Sequence, residues 1–307
     1  MKNLTFRMLS AALAIMATFA SARGQNELIV SQYIHNYFAV NPAFAGSRDA
    51  LSLFGGVRRQ WSAIDDTPAS AILTANTPLR KEKLATGMSL YYQTLHQTTN
   101  AGLLATIGYR TKVTRNAWLG LALQPGVAFR SLNWGKIRTI DEQDEVFAEN
   151  ESGVAPLLGF GASFYGDNFF AGISTTSFIV TNDFERKDTK FAPGDATYVA
   201  CGGYWFALGN DFAIQPSAMA SLNKADKGEM TISASGIWRD MIWLTAAYRT
   251  TKEATAGLAY SLNRRFKVAY SYTMDLGPLK SYSGGSHELT LQYDFIYKVK
   301  AVGPRFY

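Results

Sequence analysis

The order of residues along this 307-residue chain predicts an all-β fold: a transmembrane, antiparallel, up-and-down β-barrel of about 14 strands (roughly 12–16), with a short N-terminal segment outside the barrel. Three observations predict it. Apolar residues alternate with small or polar ones over stretches of about 9 to 12 residues, long enough for a tilted strand to cross a bilayer, whereas globular strands average about 5 or 6. Aromatic residues gather toward the ends of those stretches, where interfacial rings prefer the headgroup region. Short connections alternate with long ones, as in barrels that keep tight turns on one side of the membrane. Bulk composition alone suits a soluble protein, with a mean hydropathy of −0.06, because lipid-facing and lumen-facing residues average out along each strand. Charged residues at 18% and aromatics at 13% exclude a disordered chain, and the single Cys201 excludes a disulfide framework.

Residues 1–24 read as a signal peptide. Lys2 and Arg7 form a basic n-region, residues 8–19 are uncharged and mostly apolar, and Ala20-Ser21-Ala22 supplies small residues for cleavage after residue 22 or 24. The apolar run, about 12 residues, is too short to span a bilayer. Losing Lys2, Arg7 and Arg23, three cations and no acid, lowers the formal charge from +6 to +3. The basic excess is therefore partly the signal's own, and nucleic acid is not an expected partner.

Residues 25–47 form the N-terminal segment, in which Pro42 and Gly46 predict a turn-rich element leading into the barrel wall. The barrel occupies residues 48–298. Its strands are expected near 50–60, 68–77, 84–94, 100–112, 116–130, 155–165 and 169–180, then near 196–207, 212–222, 228–238, 241–250, 254–262, 266–274 and 286–296. Leu103, Ala105, Ile107 and Tyr109 oppose Thr106, Gly108 and Arg110. Phe266, Val268, Tyr270 and Tyr272 oppose Lys267, Ala269 and Ser271, and Leu289, Leu291, Tyr293 and Phe295 oppose Glu288, Thr290, Gln292 and Asp294. A pleated strand sends these sets to opposite faces, the apolar one to lipid and the other to a wet or tightly filled lumen. No uninterrupted apolar run beyond Gln25 reaches the length of a helical span.

Tyr91-Tyr92, Trp118, Phe164-Tyr165, Phe169-Phe170, Tyr204-Trp205-Phe206, Trp238, Trp243 and Phe266 are expected in the interfacial girdles. Tight connections at 113–115, 166–168, 209–210, 239–240 and 263–265 follow even-numbered strands and are assigned to the periplasm. The longest, 131–154, 181–195 and 275–285, follow odd ones and are assigned to the exterior. The basic connection at 78–83 is longer than that rule predicts. Residues 299–307 form a tail, because Pro304 interrupts any strand leading to Phe306-Tyr307 and ends the last one near Tyr297.

Chemistry-bearing patterns are sparse. His35, His96 and His287 are isolated, without zinc-ligand spacing, and are read as hydrogen-bonded or interfacial. Cys201 is read as a small buried thiol. Gly-x-Ser-x-Gly, phosphate-loop and Cys-x-x-Cys patterns are absent from the sequence, and Gly55-Gly56, Gly202-Gly203 and Gly284-Gly285 are read as kinks and turns. Ser283 or Ser286 beside His287 is the one cluster a hydrolase could use. Asp141-Glu142-Gln143-Asp144-Glu145 with Glu149 and Glu151, and Asp183, Glu185 and Asp188 among Arg186, Lys187 and Lys190, could attract a calcium ion. They lack EF-hand spacing and are read as solvated loops. No catalytic residue, metal ligand or cofactor is expected.

The most distinctive stretch carries Gln32-Tyr33, Asn36 and Asn41-Pro42-Ala43-Phe44-Ala45-Gly46, followed by Arg58-Arg59-Gln60-Trp61 and Thr67-Pro68. Arg59 to Trp61 would place a cation and an aromatic at the outer rim. These residues resemble the PorP/SprF family of outer-membrane proteins associated with type IX secretion and gliding. Its members typically open on Gln-Tyr…Asn…Asn-Pro-Ala-Tyr/Phe-Ala-Gly, continue with Arg-x-Gln-Trp and a Pro-containing turn, and close on a His-Glu-Ile/Leu strand. Gln32, Tyr33, Asn41, Pro42, Ala43, Phe44, Ala45 and Gly46 match the opening, and Arg58, Gln60 and Trp61 match the second element. Thr67-Pro68 replaces the usual Ala-Pro, and Ser286-His287-Glu288-Leu289 is similar to the ending.

The resemblance covers essentially the whole mature chain. It implies a non-enzymatic barrel accessory to the secretion machinery, in contact with outer-membrane lipid and with periplasmic ring or lipoprotein components. Secreted cargo or a surface adhesin would meet the external loops. Residues 25–47 and the periplasmic turns would then dock the apparatus, with Gln32, Tyr33, Asn41, Pro42, Ala43, Phe44, Gly46, Arg58, Arg59, Gln60 and Trp61 as candidate partner residues. Two other functions suit a barrel. A passive porin or hydrophobic-solute channel needs an open lumen, and an outer-membrane hydrolase needs Ser283 or Ser286 brought to His287.

Overall fold

A computed structural model of the chain describes residues 33–64, 66–79, 83–133, 151–176, 179–181, 189–191, 196–223, 228–263, 265–278 and 280–296. The signal peptide, Gln32, the acidic runs within 134–150 and 182–188, and the tail lie outside the described residues. Fourteen strands close into one barrel: β1 (Ala50–Arg59), β2 (Ala69–Pro78), β3 (Leu84–Leu95), β4 (Thr98–Thr114), β5 (Ala117–Leu132), β6 (Glu151–Gly166), β7 (Phe169–Thr176), β8 (Thr197–Tyr204), β9 (Phe212–Leu222), β10 (Glu229–Trp238), β11 (Ile242–Arg249), β12 (Glu253–Ser261), β13 (Phe266–Asp275) and β14 (Ser286–Ile296). Each pairs antiparallel with its sequence neighbours, and β14 closes on β1 from Ala50↔Ile296 to Arg59↔His287. Closure gives every strand a neighbour on both sides, the condition for exposing a sheet to lipid; among the described residues β6 runs on beyond β7, and its 151–159 stretch pairs with β5 alone.

Three elements differ from the sequence reading. β6 begins at Glu151, because Gly153 and Pro156 interrupt the apolar alternation without interrupting the pairing with β5. The stretch expected as one strand over 169–180 ends at Thr176, and Ile179–Thr181 pairs instead with Thr189–Phe191 as a separate hairpin. Beyond β8 the chain steps out of the ladder at Trp205, whose N–H bonds the carbonyl of Asn168 at 2.7 Å, and Phe206–Leu208 resumes pairing with β9. The tight turns follow local chemistry. Arg239 and Asp240 both adopt positive φ, 52° and 56°, which a two-residue hairpin matched to strand twist requires. Arg239 also stacks on Trp238 and pairs with Asp211 at 3.0 Å.

Alternation sorts the two faces. Ile107, Ile173 and Leu244 are each more than 60% exposed on the outer wall, within a continuous apolar belt that only lipid could cover. Inside lie Thr74, Ser89, Thr106, Gln124, Ser163, Gln215, Ser217, Ser235, Ser271 and Thr290, all buried. The same rule corrects the girdle assignment. Tyr92, Phe164, Tyr204, Phe206 and Trp238 do face outward, whereas Trp118, Tyr165, Phe170 and Trp243 are buried in the lumen. In a pair such as Phe164-Tyr165 one ring must face each way.

Candidate functional site: a lumen occupied by the N-terminal segment

Residues 33–47 lie inside the barrel, enclosed by the wall, and residues 25–32 of the same N-terminal segment lie outside the described residues. It folds as three short 3-10 turns, Tyr33–His35, Tyr37–Ala39 and Pro42–Phe44. The last is set by sequence: the Asn41 side chain accepts from the N–H of Ala43 at 2.9 Å, and Pro42 sits at the first helical position, where its missing N–H costs nothing. Gly46, at φ +70°, then turns the chain toward β1. A Cβ there would collide with the backbone of Pro78.

The wall receives this segment through glycines and serines in alternation. Gly120, Gly161 and Gly172 face the lumen on β5, β6 and β7, and Ser163 pairs in register with both Gly120 and Gly172. A Cβ at Gly161 or Gly172 would overlap the Asn41 side chain, and one at Gly120 would overlap the carbonyl of Ala43. In the space left, Asn41 Nδ2 donates to the carbonyls of Ala162 and Ile173 at 3.0 and 3.1 Å. Ser163 donates to the carbonyl of Ala43 at 2.9 Å, and Ser174 to that of Val40 at 2.7 Å. The bare wall gives clearance, and the hydroxyls satisfy backbone carbonyls that burial would otherwise strand.

Contacts reach strands from β2 to β11. Asn36 donates to Thr74 Oγ1 on β2 at 2.9 Å, Gln215 on β9 donates to the Tyr37 hydroxyl at 2.6 Å, and the Tyr33 hydroxyl donates to Ser217 Oγ at 3.1 Å. Tyr33, Ile34, Tyr37 and Phe44 pack with Trp118, Tyr165, Phe170, Cys201 and Met219 in one core cluster. Phe44 is 1% exposed, and its ring centroid lies 5.5 Å from that of Tyr37 and 5.9 Å from that of Tyr165. Arg110 fastens the exit of the segment, donating to the carbonyl of Gly46 at 2.6 Å and pairing with Asp49, with its guanidinium 4.8 Å from the Trp118 ring centroid. Toward the end that carries the long loops, the buried pairs Arg58–Glu288 at 3.3 Å and Arg249–Glu253 at 2.9 Å occupy the lumen in a second layer.

His35 is buried edge-on against Trp243, with ring centroids 5.4 Å apart. Burial, then the nearby cations of Lys267 and Arg48, push its pKa well below the ordinary value. The folded state therefore holds it neutral. Its contribution to docking is full above about pH 6.5 and is lost as pH falls toward the lowered value. Protease cleavage within residues 33–47 is expected to increase between about pH 7.5 and about pH 5, and His35→Phe is expected to abolish that increase. Equal acid sensitivity in both proteins would contradict this assignment.

Of the sequence-derived candidates, Tyr33, Asn41, Pro42, Ala43, Phe44 and Gly46 come together in the lumen. Arg58 faces inward beside Glu288, Arg59 is exposed on the outer face, the N–H of Gln60 bonds the carbonyl of Pro68, and Trp61 donates its N–H to Ser286 Oγ at 3.3 Å. The structure thus joins two distant motif elements, since Arg58 and Glu288 are register partners. Ser283 Oγ accepts from the N–H of Gly285, while His287 Nδ1 lies 2.7 Å from the Tyr270 hydroxyl, so neither is engaged with the other. Sequence reasoning missed Gly120, Gly161, Gly172, Ser163, Ser174 and Arg110. The available signal was a Gly-Ser alternation on one face of 159–163, legible only once that face is known to receive a backbone.

A family model described as type IX secretion system membrane protein PorP/SprF matches residues 22–293. No curated protein matches the sequence. Among solved structures, the toluene transporter TodX of Pseudomonas putida is similar at 10% identity and a TM-score of 0.49, with 91% of this chain and 97% of that one covered. A Pseudomonas aeruginosa FadL homologue is similar at 12% identity and 0.42, covering 82% and 93%, and the KdgM porin at 9% and 0.38, covering 80% and 99%.

Proposed function

The chain belongs to the PorP/SprF family of type IX secretion system membrane proteins of the bacterial outer membrane, and from that premise we propose that it is a closed anchor coupling the periplasmic secretion apparatus to that membrane. The observation that carries this reading is the filled lumen. Residues 33–47 touch β2, β4, β6, β7, β9 and β11 at once, which supports a barrel that works as a cross-braced anchor in lipid. The apolar belt meets outer-membrane lipid, and the short-turn end meets periplasmic ring or lipoprotein components. The long loops meet cargo, such as a protease, or a surface adhesin. The work is contact and positioning, without covalent chemistry.

A passive porin or small-solute channel fits less well, because an open path is what the buried segment and the charged layer remove. Deleting the gene is expected to trap C-terminally tagged cargo in the periplasm, as followed by cell fractionation. Undiminished secretion by the deletion strain would overturn the proposal.

A further inference from the structure

At the mouth formed by the short turns, beside the docked segment, lies a cavity of about 610 Å³. It is bounded by Arg48, the β10–β11 turn, the β12–β13 turn and the ends of β13 and β14. Its lining carries four cations, Arg48, Arg239, Arg265 and Lys267, against two carboxylates, Asp240 and Asp294. Lys267 is the unusual member. It alternates inward on β13, is buried, and holds its ammonium 4.0 Å from the centroid of the Trp243 ring. Among the described residues it has no hydrogen-bond partner and no carboxylate within ion-pair distance. A ring face offsets only part of the cost of taking an ammonium out of water.

The neighbouring acceptors do not supply the missing partner. Asp294 Oδ2 is taken by Arg48 at 3.2 Å and by Gln292 Nε2 at 2.8 Å. Asp294 Oδ1 and Gln292 Oε1 are buried and without a partner. The cavity wall therefore presents an unmet cationic donor next to two unmet acceptors. A simple anion answers the first and leaves the acceptors stranded. A peptide carrying a carboxylate answers both, since its backbone N–H groups can donate to Asp294 and Gln292. Lys267, Gln292 and Asp294 belong to the lumen side of the alternation, and the turn residues Asn210, Asp240 and Asn263 complete the lining at the aqueous mouth.

We propose that this cavity is a docking site for an acidic peptide segment, with a Glu or Asp carboxylate on Lys267 and adjacent N–H groups on Asp294 Oδ1 and Gln292 Oε1. The inference rests on the anchoring proposal only for the side from which the peptide arrives. Its chemistry is read from the cavity itself.

The test uses the full chain in a neutral detergent and fluorescence anisotropy of a Gly-Glu-Gly-Glu-Gly peptide carrying an uncharged dye, beside its Gly-Gln-Gly-Gln-Gly counterpart. The Glu peptide is expected to bind at least about tenfold more tightly than the Gln peptide, and Lys267→Gln to remove that preference. Arg265→Gln, on the exposed rim, is expected to weaken binding several-fold and serves if Lys267→Gln fails to fold. Equal binding of the two peptides, or binding unchanged in both variants, overturns the proposal. So does displacement of the Glu peptide by inorganic phosphate at equal concentration, or by phosphatidylethanolamine micelles, which would mark a small-anion or headgroup site. Because this assay contains no secretion machinery, its failure and a failure of the anchoring role are read separately.

Discussion

Gly161→Val is expected to drive residues 33–47 out of the lumen while the barrel wall remains paired. Gly161 has room only because Asn41 occupies the place of its side chain, and a Cβ would meet Asn41 Oδ1, the N–H of Ala43 and the ring of Pro42 together. The Asn41 side chain makes three hydrogen bonds, two of them to carbonyls of β6 and β7. Displacing it strands those groups as well as overpacking the contact, which together cost about 3–5 kcal/mol of docking free energy. The wall keeps its ladder, since valine suits a strand. Protease cleavage within residues 33–47 should become fast, while the heat-modifiable gel mobility of the folded barrel persists. Gly236→Val is the matching control, because nothing lies within 4 Å of a Cβ there. Equal protection in all three proteins would show that the seat does not depend on the bare wall.

Arg110→Met is expected to be the most damaging change to a single wall side chain. Arg110 is 2% exposed, and it bonds the carbonyl of Gly46, pairs with Asp49 and stacks on Trp118. Methionine keeps the bulk and loses every polar contact, leaving a buried carbonyl and the Asp49 carboxylate without that cation. Breaking a buried pair from one side costs about 3–5 kcal/mol. Arg110→Lys restores the charge without the planar fork, so it should fall between the two. The temperature at which the folded barrel converts to the unfolded gel species measures the effect. An unchanged conversion temperature in Arg110→Met would remove Arg110 from the account of how the segment is held.

Much of the wall was legible in the sequence because one rule, alternation with period two, sets both its extent and its faces. Lys267, Ala269 and Ser271 opposite Val268, Tyr270 and Tyr272 required no knowledge beyond the pleat. A position near a strand end does not by itself say which face an aromatic ring takes. Trp118, Tyr165, Phe170 and Trp243 therefore carry the sequence signature of headgroup residues while forming the surface against which Tyr33, His35, Tyr37 and Phe44 pack. The segment itself was visible as a motif, Asn41-Pro42 through Gly46, but its location was not. Nothing local says whether a 3-10 turn capped by Asn41 lies in water or within a barrel.

The partner of that turn is a set of residues that carry little individual signal. Glycine in a strand reads as a kink, and only the register of β5, β6 and β7 shows Gly120, Gly161 and Gly172 as one bare patch with Ser163 and Ser174 between. Arg58 and Glu288 are a similar case. Each is an ordinary charge in sequence, and their pairing follows from the closure of β14 on β1, which no local pattern specifies.

The central claim is that this barrel is closed by its own chain. Planar-bilayer recording of the purified native protein beside Gly161→Val tests it most directly. The native barrel should carry no steady ionic current, and the variant should open a path of defined conductance. A stable, ohmic conductance in the native protein, unchanged by Gly161→Val, would contradict the claim and return the molecule to the class of passive channels.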